Sequence, residues 1–296
     1  MRGRLVERMN PIELIKKLKR IEIFTRKCVS EQMAGQYHSA FKGRGMDFSQ
    51  VRPYEDGDDV RYIDWNVSAR QNALYVKDFV EEKQLSVYIV MDLSRSMDFS
   101  SIAATKREMS AEVMALLASS AIQNNDRVGL FLCHHRGMRF IPQKKGRNHL
   151  LRLIRESLSY QGIGEAVSLK DCLSSVTKII KRSSLIFVIS DFLQNDFEIP
   201  LRILSHRHDV VPIIIRDPLE DSLADLGFAS LYDSCARAQH SIDTQDSSLL
   251  KTYSSLTQEF RSSLRRGFAR SKLEAITVYT HKSSALPLIQ YFKRRG

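Results

Sequence analysis

Short apolar segments rich in β-branched residues alternate with longer amphipathic segments in the middle of the chain. The apolar segments are 86–91, 127–133, 184–190 and 209–215. Their continuous apolarity predicts strands buried on both faces, as in parallel sheets. The amphipathic segments, which predict helices, are 105–123, 150–158, 169–180 and 201–206. This alternation predicts an α/β fold with a doubly wound, mainly parallel sheet.

The pattern changes towards both ends of the chain. Residues 11–21 have apolar side chains near helical spacing with lysines opposite, which predicts a basic amphipathic helix. After residue 217 the pattern predicts a small hairpin, a long helix, a strand and a terminal helix. We therefore divide the chain into an N-terminal helical and irregular appendage, 1–84, and an α/β domain with a C-terminal extension, 85–296.

The first buried strand ends in the sequence Asp92-x-Ser94-x-Ser96. Open α/β sheets bind their ligands at the carboxyl ends of such strands. One carboxylate and two hydroxyls on a tight loop can converge on a hard cation such as Mg²⁺. The same three residues can also form a turn that only caps the next helix. The sequence of the loop leaves both interpretations open.

A second buried strand, 184–190, also ends in a carboxylate, that of Asp191. If both strands run parallel in one sheet, Asp191 lies on the same rim as Asp92. Ser168, in the loop before the helix at 169–180, is the residue that we expect to add a further oxygen to this rim.

Residues 43–84 follow neither a strand nor a helix period, and aromatic and charged residues alternate closely in them. Two interpretations stay open: an appendage clamped to the core by Trp65, Tyr54 and Phe79, or a surface that binds a partner directly. The candidate partner-binding residues are Arg52, Asp58, Asp59, Arg61, Asp64, Trp65 and Arg70.

The 296-residue chain has a net charge of +11. The excess of positive charge lies in the segments at its two ends, and an acidic block, 45–84, lies between them. No aromatic-interleaved basic groove accompanies the charge, so we expect no specific nucleic acid partner. Peripheral contact with an anionic membrane stays open, but no apolar run has the length of a spanning helix. The four cysteines form no Cys-x-x-Cys pair, which favours a reducing, cytoplasmic setting.

Two sets of residues resemble known families. Asp92-x-Ser94-x-Ser96-Met97 resembles the metal-ion-dependent adhesion site of von Willebrand factor A domains, and Asp191 falls where that fold has its last metal-site aspartate. The block 43–70, called the signature block below, is similar to the signature of the bacterial domain-of-unknown-function family fifty-eight (DUF58). It contains Arg-Pro-Tyr-Glu-Asp-Gly-Asp-Asp-Val-Arg-Tyr-Ile-Asp-Trp at residues 52–65, followed by Ser68-Ala69-Arg70. That family couples such a block to a von Willebrand factor A-like domain.

The resemblance implies a site for Mg²⁺ or Mn²⁺ formed by Asp92, Ser94, Ser96, Asp191 and Ser168. The family usually has Gly-Thr-Asp-Leu in the second metal loop, whereas this chain has Ala166-Val167-Ser168-Leu169. Valine has no oxygen ligand, so Ser168 takes the role of the threonine, a water replaces it, or the affinity for the metal is reduced.

The resemblance further implies a non-enzymatic, metal-dependent protein-binding module without catalytic residues. In such sites a Glu or Asp of a partner completes the coordination of the metal. Family members are associated with MoxR-type AAA+ ATPases in the bacterial cytoplasm, so we expect an adaptor or chaperone-like role.

The alternative is a Mg²⁺-dependent hydrolase or phosphatase that uses Asp92. Phosphatases of another α/β fold have a second aspartate two residues after the first, where this chain has Ser94. A serine nucleophile lacks the Gly-x-Ser-x-Gly elbow, and the chain has no phosphate-binding loop of the P-loop type. These comparisons favour the binding module.

Overall fold

The computed structural model describes residues 11–29, 31–41, 47–80, 84–102, 104–134, 137–159, 168–194, 196–223, 227–233 and 238–296. The helices in these ranges are α1 (Pro11–Cys28), α2 (Glu31–Phe41), α3 (Trp65–Gln71), α4 (Lys106–Gln123), α5 (Arg147–Ser159), α6 (Leu169–Ile179), α7 (Glu198–Ser205), α8 (Ser247–Arg270) and α9 (Ala285–Arg295). The strands are β1 (Asp47–Pro53), β2 (Tyr75–Val80), β3 (Ser86–Asp92), β4 (Arg127–His134), β5 (Gly137–Lys144), β6 (Leu185–Ser190), β7 (Asp209–Arg216), β8 (Phe228–Asp233), β9 (Ala238–Asp243) and β10 (Ile276–Tyr279).

The central sheet contains six strands in the order β10-β7-β6-β3-β4-β5. Neighbouring strands run parallel, except that β5 is antiparallel to β4. The connection between β4 and β5 spans only residues 135–136, which is too short for a parallel crossover. The predicted α/β fold with a mainly parallel sheet is therefore confirmed.

Each face of the sheet is covered by its own hydrophobic core. In β3, Val87, Ile89 and Met91 belong to one core, which includes residues of α1, α2, α4, α5 and α9. Val90 belongs to the other core, with residues of α6, α7 and α8. Successive side chains of a strand point to opposite faces, so a strand covered on both sides is apolar throughout.

The two N-terminal helices belong to the first of these cores. Met33 and Tyr37 of α2 are fully buried in it. The rings of Tyr37 and Phe41 lie edge-on against the ring of Phe292 in α9, with centroid distances of 5.8 and 5.5 Å. The appendage therefore shares a core with the α/β domain, while the boundary at residues 84 and 85 stays a prediction.

Strands β1 and β2 form an antiparallel pair that the sequence analysis did not predict. The pair joins Val51 to Lys77 and Pro53 to Tyr75. A turn, a short 3₁₀ helix at Val60–Tyr62 and α3 lie between the two strands. The pairing is therefore nonlocal, and the short-range pattern of apolar residues does not reveal it.

Pro212 is of a residue type that favours positions near the edge of a sheet, because proline has no backbone N–H to donate. It lies in β7, which is covered on one side by β6 and on the other by the edge strand β10. The pairing with β10 begins only at Ile213, one residue further on. Pro212 is thus paired with β6 alone.

Two properties bear on the setting of the protein. Cys28, Cys133 and Cys172 are free, and Cys235 lies outside the described residues. In the described part of the chain, we find no helix with both the length and the apolarity needed to span a bilayer.

The aromatic contact between α2 and α9 can be tested by truncation. We expect Phe292→Ala to lower the free energy of unfolding by about 3–5 kcal/mol, because the buried ring leaves a cavity. Urea denaturation measures this change. Phe228→Ala is the matched control, since that ring is 88% exposed, and we expect it to change stability by less than about 0.5 kcal/mol. Equal losses in the two variants would contradict this packing.

Candidate functional site

Polar side chains from two neighbouring strands meet at the carboxyl edge of the sheet. β3 ends at Asp92, and Ser94 and Ser96 follow it. β6, its parallel neighbour, ends at Ser190, and Asp191 follows it. The predicted common rim of Asp92 and Asp191 is confirmed, because paired parallel strands end at the same edge. These five residues are called the rim site below.

Asp92 organises the loop that follows β3. Its Oδ1 accepts a hydrogen bond from the backbone N–H of Ser94 at 2.8 Å, a turn that aspartate side chains commonly stabilise. Its Oδ2 accepts a hydrogen bond from Ser190 Oγ at 2.7 Å. The hydroxyls of Ser94 and Ser96 lie 3.0 Å apart, so they converge. Ser94 precedes a 3₁₀ turn, Arg95–Asp98, but its hydroxyl makes no capping hydrogen bond, which disfavours the capping interpretation.

The electrostatic state of Asp92 follows from its surroundings. Asp92 is 2% exposed, and Asp191 is 4% exposed. Burial, followed by the charge of Asp191, raises the pKa of Asp92 from 3.8 to about 6, although hydrogen bonds from Ser190 and Ser94 act in the opposite direction. The rim site therefore gathers negative charge where little water stabilises it, and a nearby cation would be favourable.

Lys106 is one of the residues of this region that the sequence analysis missed. It is the first residue of α4 and is fully buried. Its Nζ donates to Asp191 Oδ2 at 2.7 Å and to Glu220 Oε1 at 2.5 Å. Burial by itself lowers the pKa of this ammonium, but the Asp191 and Glu220 carboxylates raise it above its ordinary value. The ammonium is thus held in its charged form.

A sequence signal for Lys106 did exist. The helix dipole is unfavourable for a cation in the first turn. A lysine at the start of a predicted buried helix therefore indicates that a carboxylate pairs with it. The signal did not say which carboxylate, because Asp191 and Glu220 lie 85 and 114 residues away in the chain.

The polar network continues along the same edge to the end of β7. Asp217 is fully buried and accepts hydrogen bonds from Ser101 N at 3.0 Å and Thr280 Oγ1 at 3.1 Å. It also forms a capping box with Glu220 around the 3₁₀ turn Pro218–Glu220. Burial raises the pKa of Asp217, but the hydrogen bonds from Ser101, Leu219 and Thr280 lower it below its ordinary value overall. This turn fixes the Glu220 carboxylate that contacts Lys106.

Ser168 lies at the start of α6. Its Oγ accepts a hydrogen bond from Asp171 N at 3.1 Å, so the hydroxyl oxygen caps the helix. Leu169 N donates to Gln194 Oε1 at 3.0 Å, which ties the start of α6 to the loop after β6. Ala166 and Val167 lie outside the described residues. The metal-ligand role of Ser168 stays a prediction.

The rim site offers an oxygen donor set of the kind that Mg²⁺ and Mn²⁺ prefer. Asp92, Ser94 and Ser96 are the residues that would hold such a cation, whereas Asp191 is already engaged by Lys106. Over the described ranges, no group of three or more His, Cys, Asp or Glu side chains is arranged to hold a metal ion. A cation here would therefore depend on the two serine hydroxyls.

The charged residues of the signature block form local pairs. Arg52 makes two hydrogen bonds to Asp58, at 2.8 and 2.7 Å, and Arg61 contacts Asp59 at 2.5 Å. Asp64 caps α3 by accepting from Asn66 N and Val67 N. Arg70 makes no ion pair with another described residue.

The prediction that Trp65 clamps the appendage to the core is wrong. Its side chain is 67% exposed, and Val60 is exposed as well. Ser68 is the buried residue of α3, and its Oγ accepts from Tyr75 N at 2.9 Å, so this serine joins α3 to β2. Tyr54 is half-buried, and the side chain of Phe79 lies outside the described part. Hydrogen bonds therefore join α3 to β2, and the tryptophan is left on the surface.

The ion pair of Lys106 can be tested by a double-mutant cycle. We expect Lys106→Met to cost about 3–5 kcal/mol of stability, because it leaves the buried carboxylate of Asp191 and the partly buried carboxylate of Glu220 without their cation. Adding Asp191→Asn should recover part of the loss. Urea denaturation gives both values, and Lys178→Met, on the exposed face of α6, is the control. Strictly additive effects of the two substitutions would contradict a direct pair.

Comparison with known proteins places the chain in a family. It is 26% identical to uncharacterized protein Rv1480 of Mycobacterium tuberculosis and to uncharacterized protein Mb1516 of Mycobacterium bovis, in each case over 73% of this chain and 69% of the relative. Among solved structures it is similar to conserved hypothetical protein BatB of Bacteroides thetaiotaomicron (TM-score 0.44, 13% identity, 71% of this chain and 98% of that one). It is also similar to the SpRpn10 VWA domain (TM-score 0.41, 11% identity, 71% and 95%). The model of the family described as "Protein of unknown function DUF58" matches residues 50–263, and the chain therefore belongs to DUF58.

Proposed function

We propose that this chain is a non-enzymatic protein-binding module that docks a partner carboxylate through Mg²⁺ or Mn²⁺ at the rim site. The observation that carries the proposal is the convergence of the Ser94 and Ser96 hydroxyls, 3.0 Å apart, beside the buried carboxyl group of Asp92. These three side chains would bind the cation. An Asp or Glu of the partner would complete its coordination.

The charges around the rim site support this arrangement. Lys106 compensates Asp191, so Asp92 is the carboxylate left next to the proposed cation. A divalent cation held by one carboxylate and two neutral hydroxyls keeps a net positive charge. That charge would attract an anionic side chain of a partner.

The DUF58 resemblance supports a MoxR-type AAA+ ATPase as the partner and the bacterial cytoplasm as the setting. The chain would then act as an adaptor or chaperone-like protein. The signature block is the second contact that we propose, because Trp65 and Arg61 are exposed on it. Tryptophan and arginine are the residue types most enriched among those that dominate binding energy at interfaces.

The hydrolase alternative finds less support. Both oxygens of Asp92 already accept hydrogen bonds, from Ser94 N and Ser190 Oγ, and the carboxyl group is almost fully buried. These hydrogen bonds fix the orientation of the carboxyl group. Ser94 also stands where the phosphatases of the other α/β fold have their second aspartate.

The metal proposal predicts a defined hierarchy of affinities. We expect Asp92→Ala to abolish binding of Mg²⁺ and Mn²⁺ in calorimetric titrations, because it removes the charged ligand. Ser94→Ala and Ser96→Ala should weaken binding, and Val167→Thr should strengthen it by restoring an oxygen. Asp196→Ala removes an exposed carboxylate from the loop after β6 and is the control. Equal affinities for wild type and Asp92→Ala would refute the site.

The partner proposal is tested with a purified MoxR-type ATPase from the same organism. We expect the two proteins to bind in the presence of Mg²⁺, with loss of binding in EDTA or with Asp92→Ala. Trp65→Ala should cost about 2 kcal/mol or more of binding energy if the signature block is a central contact. Phe228→Ala, another exposed aromatic truncation, should leave binding unchanged.

Two outcomes of this experiment would change the proposal. Binding that persists in EDTA would keep the partner and remove the metal from the mechanism. Metal-dependent turnover of phosphate or acyl esters by the purified chain, lost in Asp92→Asn, would establish the hydrolase alternative.

A further inference from the structure

A second polar site lies at the amino edge of the sheet, opposite the rim site. It is a cleft of about 540 Å³ between the start of β7, the end of α7, the end of α8 and α9. None of its residues belongs to the rim site or to the signature block. An inference about this cleft is therefore independent of the proposed function.

The cleft has an excess of positive charge. Arg202, Arg270 and Lys272 line it, and none of them forms an ion pair with a described residue. Its two acidic residues are both engaged, since Asp209 pairs with Arg295 and Glu274 pairs with Arg294. The carboxylates are thus neutralised while the cations of the wall are not. Such a wall favours a ligand with several negative charges.

His208 supplies a separate indication that the cleft takes a ligand. It lies in the wall and is 5% exposed, yet neither of its ring nitrogens has a hydrogen-bond partner. Buried polar groups are nearly always paired, and leaving one unpaired costs stability. An anionic oxygen in the cleft would give this imidazole the partner that the protein does not provide.

The backbone conformation of Lys272 is unusual for a residue other than glycine. Lys272 has a φ of +54° just after α8, where its N–H and that of Leu273 close the helix on Ala269 and Phe268. Glycine is the usual residue at such a left-handed position. A lysine here puts an ammonium group in the wall of the cleft at a conformational cost, which is typical of functional positions.

The side chains that line the cleft indicate which class of ligand it binds. Val210, Leu273 and Tyr291 give the cleft apolar and aromatic surface beside its cations. Arginine and lysine together are the side chains that most often bind phosphate oxygens. We propose that the cleft binds a small molecule with a diphosphate group, with Arg202, Arg270 and Lys272 contacting the phosphates and His208 hydrogen-bonding to one of their oxygens.

The test is calorimetric titration of the full chain with inorganic pyrophosphate, with ADP and with citrate. We expect pyrophosphate and ADP to bind, and citrate, a polyanion without phosphate, to bind at least about tenfold more weakly, the equivalent of one charge-assisted hydrogen bond. ADP binding more tightly than pyrophosphate would identify a nucleotide, and equal binding would identify the diphosphate group alone. The proposal would be overturned if neither pyrophosphate nor ADP bound, or if citrate bound as tightly as pyrophosphate.

Two matched double variants distinguish binding in the cleft from a general effect of positive charge on the protein surface. Arg270→Gln with Lys272→Gln should weaken pyrophosphate binding by about tenfold or more. Lys181→Gln with Arg182→Gln removes the same charge from an exposed loop at the same edge of the sheet and should have no effect. Equal losses in the two double variants would overturn the assignment.

His208→Phe gives a test in which stability and binding are measured separately. The phenyl ring is planar but larger, and it removes two unpaired buried nitrogens, so we expect the Tm to stay close to that of the wild type. Binding of pyrophosphate should nevertheless weaken. A variant that is equally stable and binds pyrophosphate as well as the wild type would exclude His208 from the site.

Discussion

The buried ammonium of Lys106 is the interaction on which the carboxyl edge of this sheet depends. Asp92, Asp191 and Glu220 are all withdrawn from water to some degree, and carboxylates in such a place need a cation or a proton. Lys106 contacts two of them and is fully buried itself. Because a desolvated ion pair tolerates little change in geometry, it fixes the start of α4 against β6 and against the turn after β7.

This constraint makes the two rim aspartates chemically different, although the strands present them in the same way. Asp191 is compensated by Lys106, whereas Asp92 is surrounded by hydroxyls and a backbone N–H. Hydrogen bonds from neutral donors orient a carboxylate without cancelling its charge. Asp92 is therefore the residue at which an external cation would gain most, and the serines beside it supply the neutral oxygens that such a cation prefers.

The two edges of the sheet carry opposite chemistry. Carboxylates and hydroxyls gather where β3, β6 and β7 end, while arginines, a lysine and an unpaired histidine gather where β7 begins. Parallel strands make this separation straightforward, because all loops of one kind meet at one edge. One domain can thus offer an acidic site and a basic site at a distance, each built from loops that the sheet holds in place.

The sequence by itself determined four strands of the central sheet, their parallel arrangement and the common rim of Asp92 and Asp191. Those features follow from local apolar runs and from the shared polarity of parallel strands. The signature block likewise indicated the family, and the family model matches residues 50–263. Only the tertiary structure decided that Lys106 pairs with Asp191, that Trp65 is exposed and that His208 lacks a partner. These properties depend on which side chains meet across elements distant in the chain, and no local period of apolar residues encodes such a meeting.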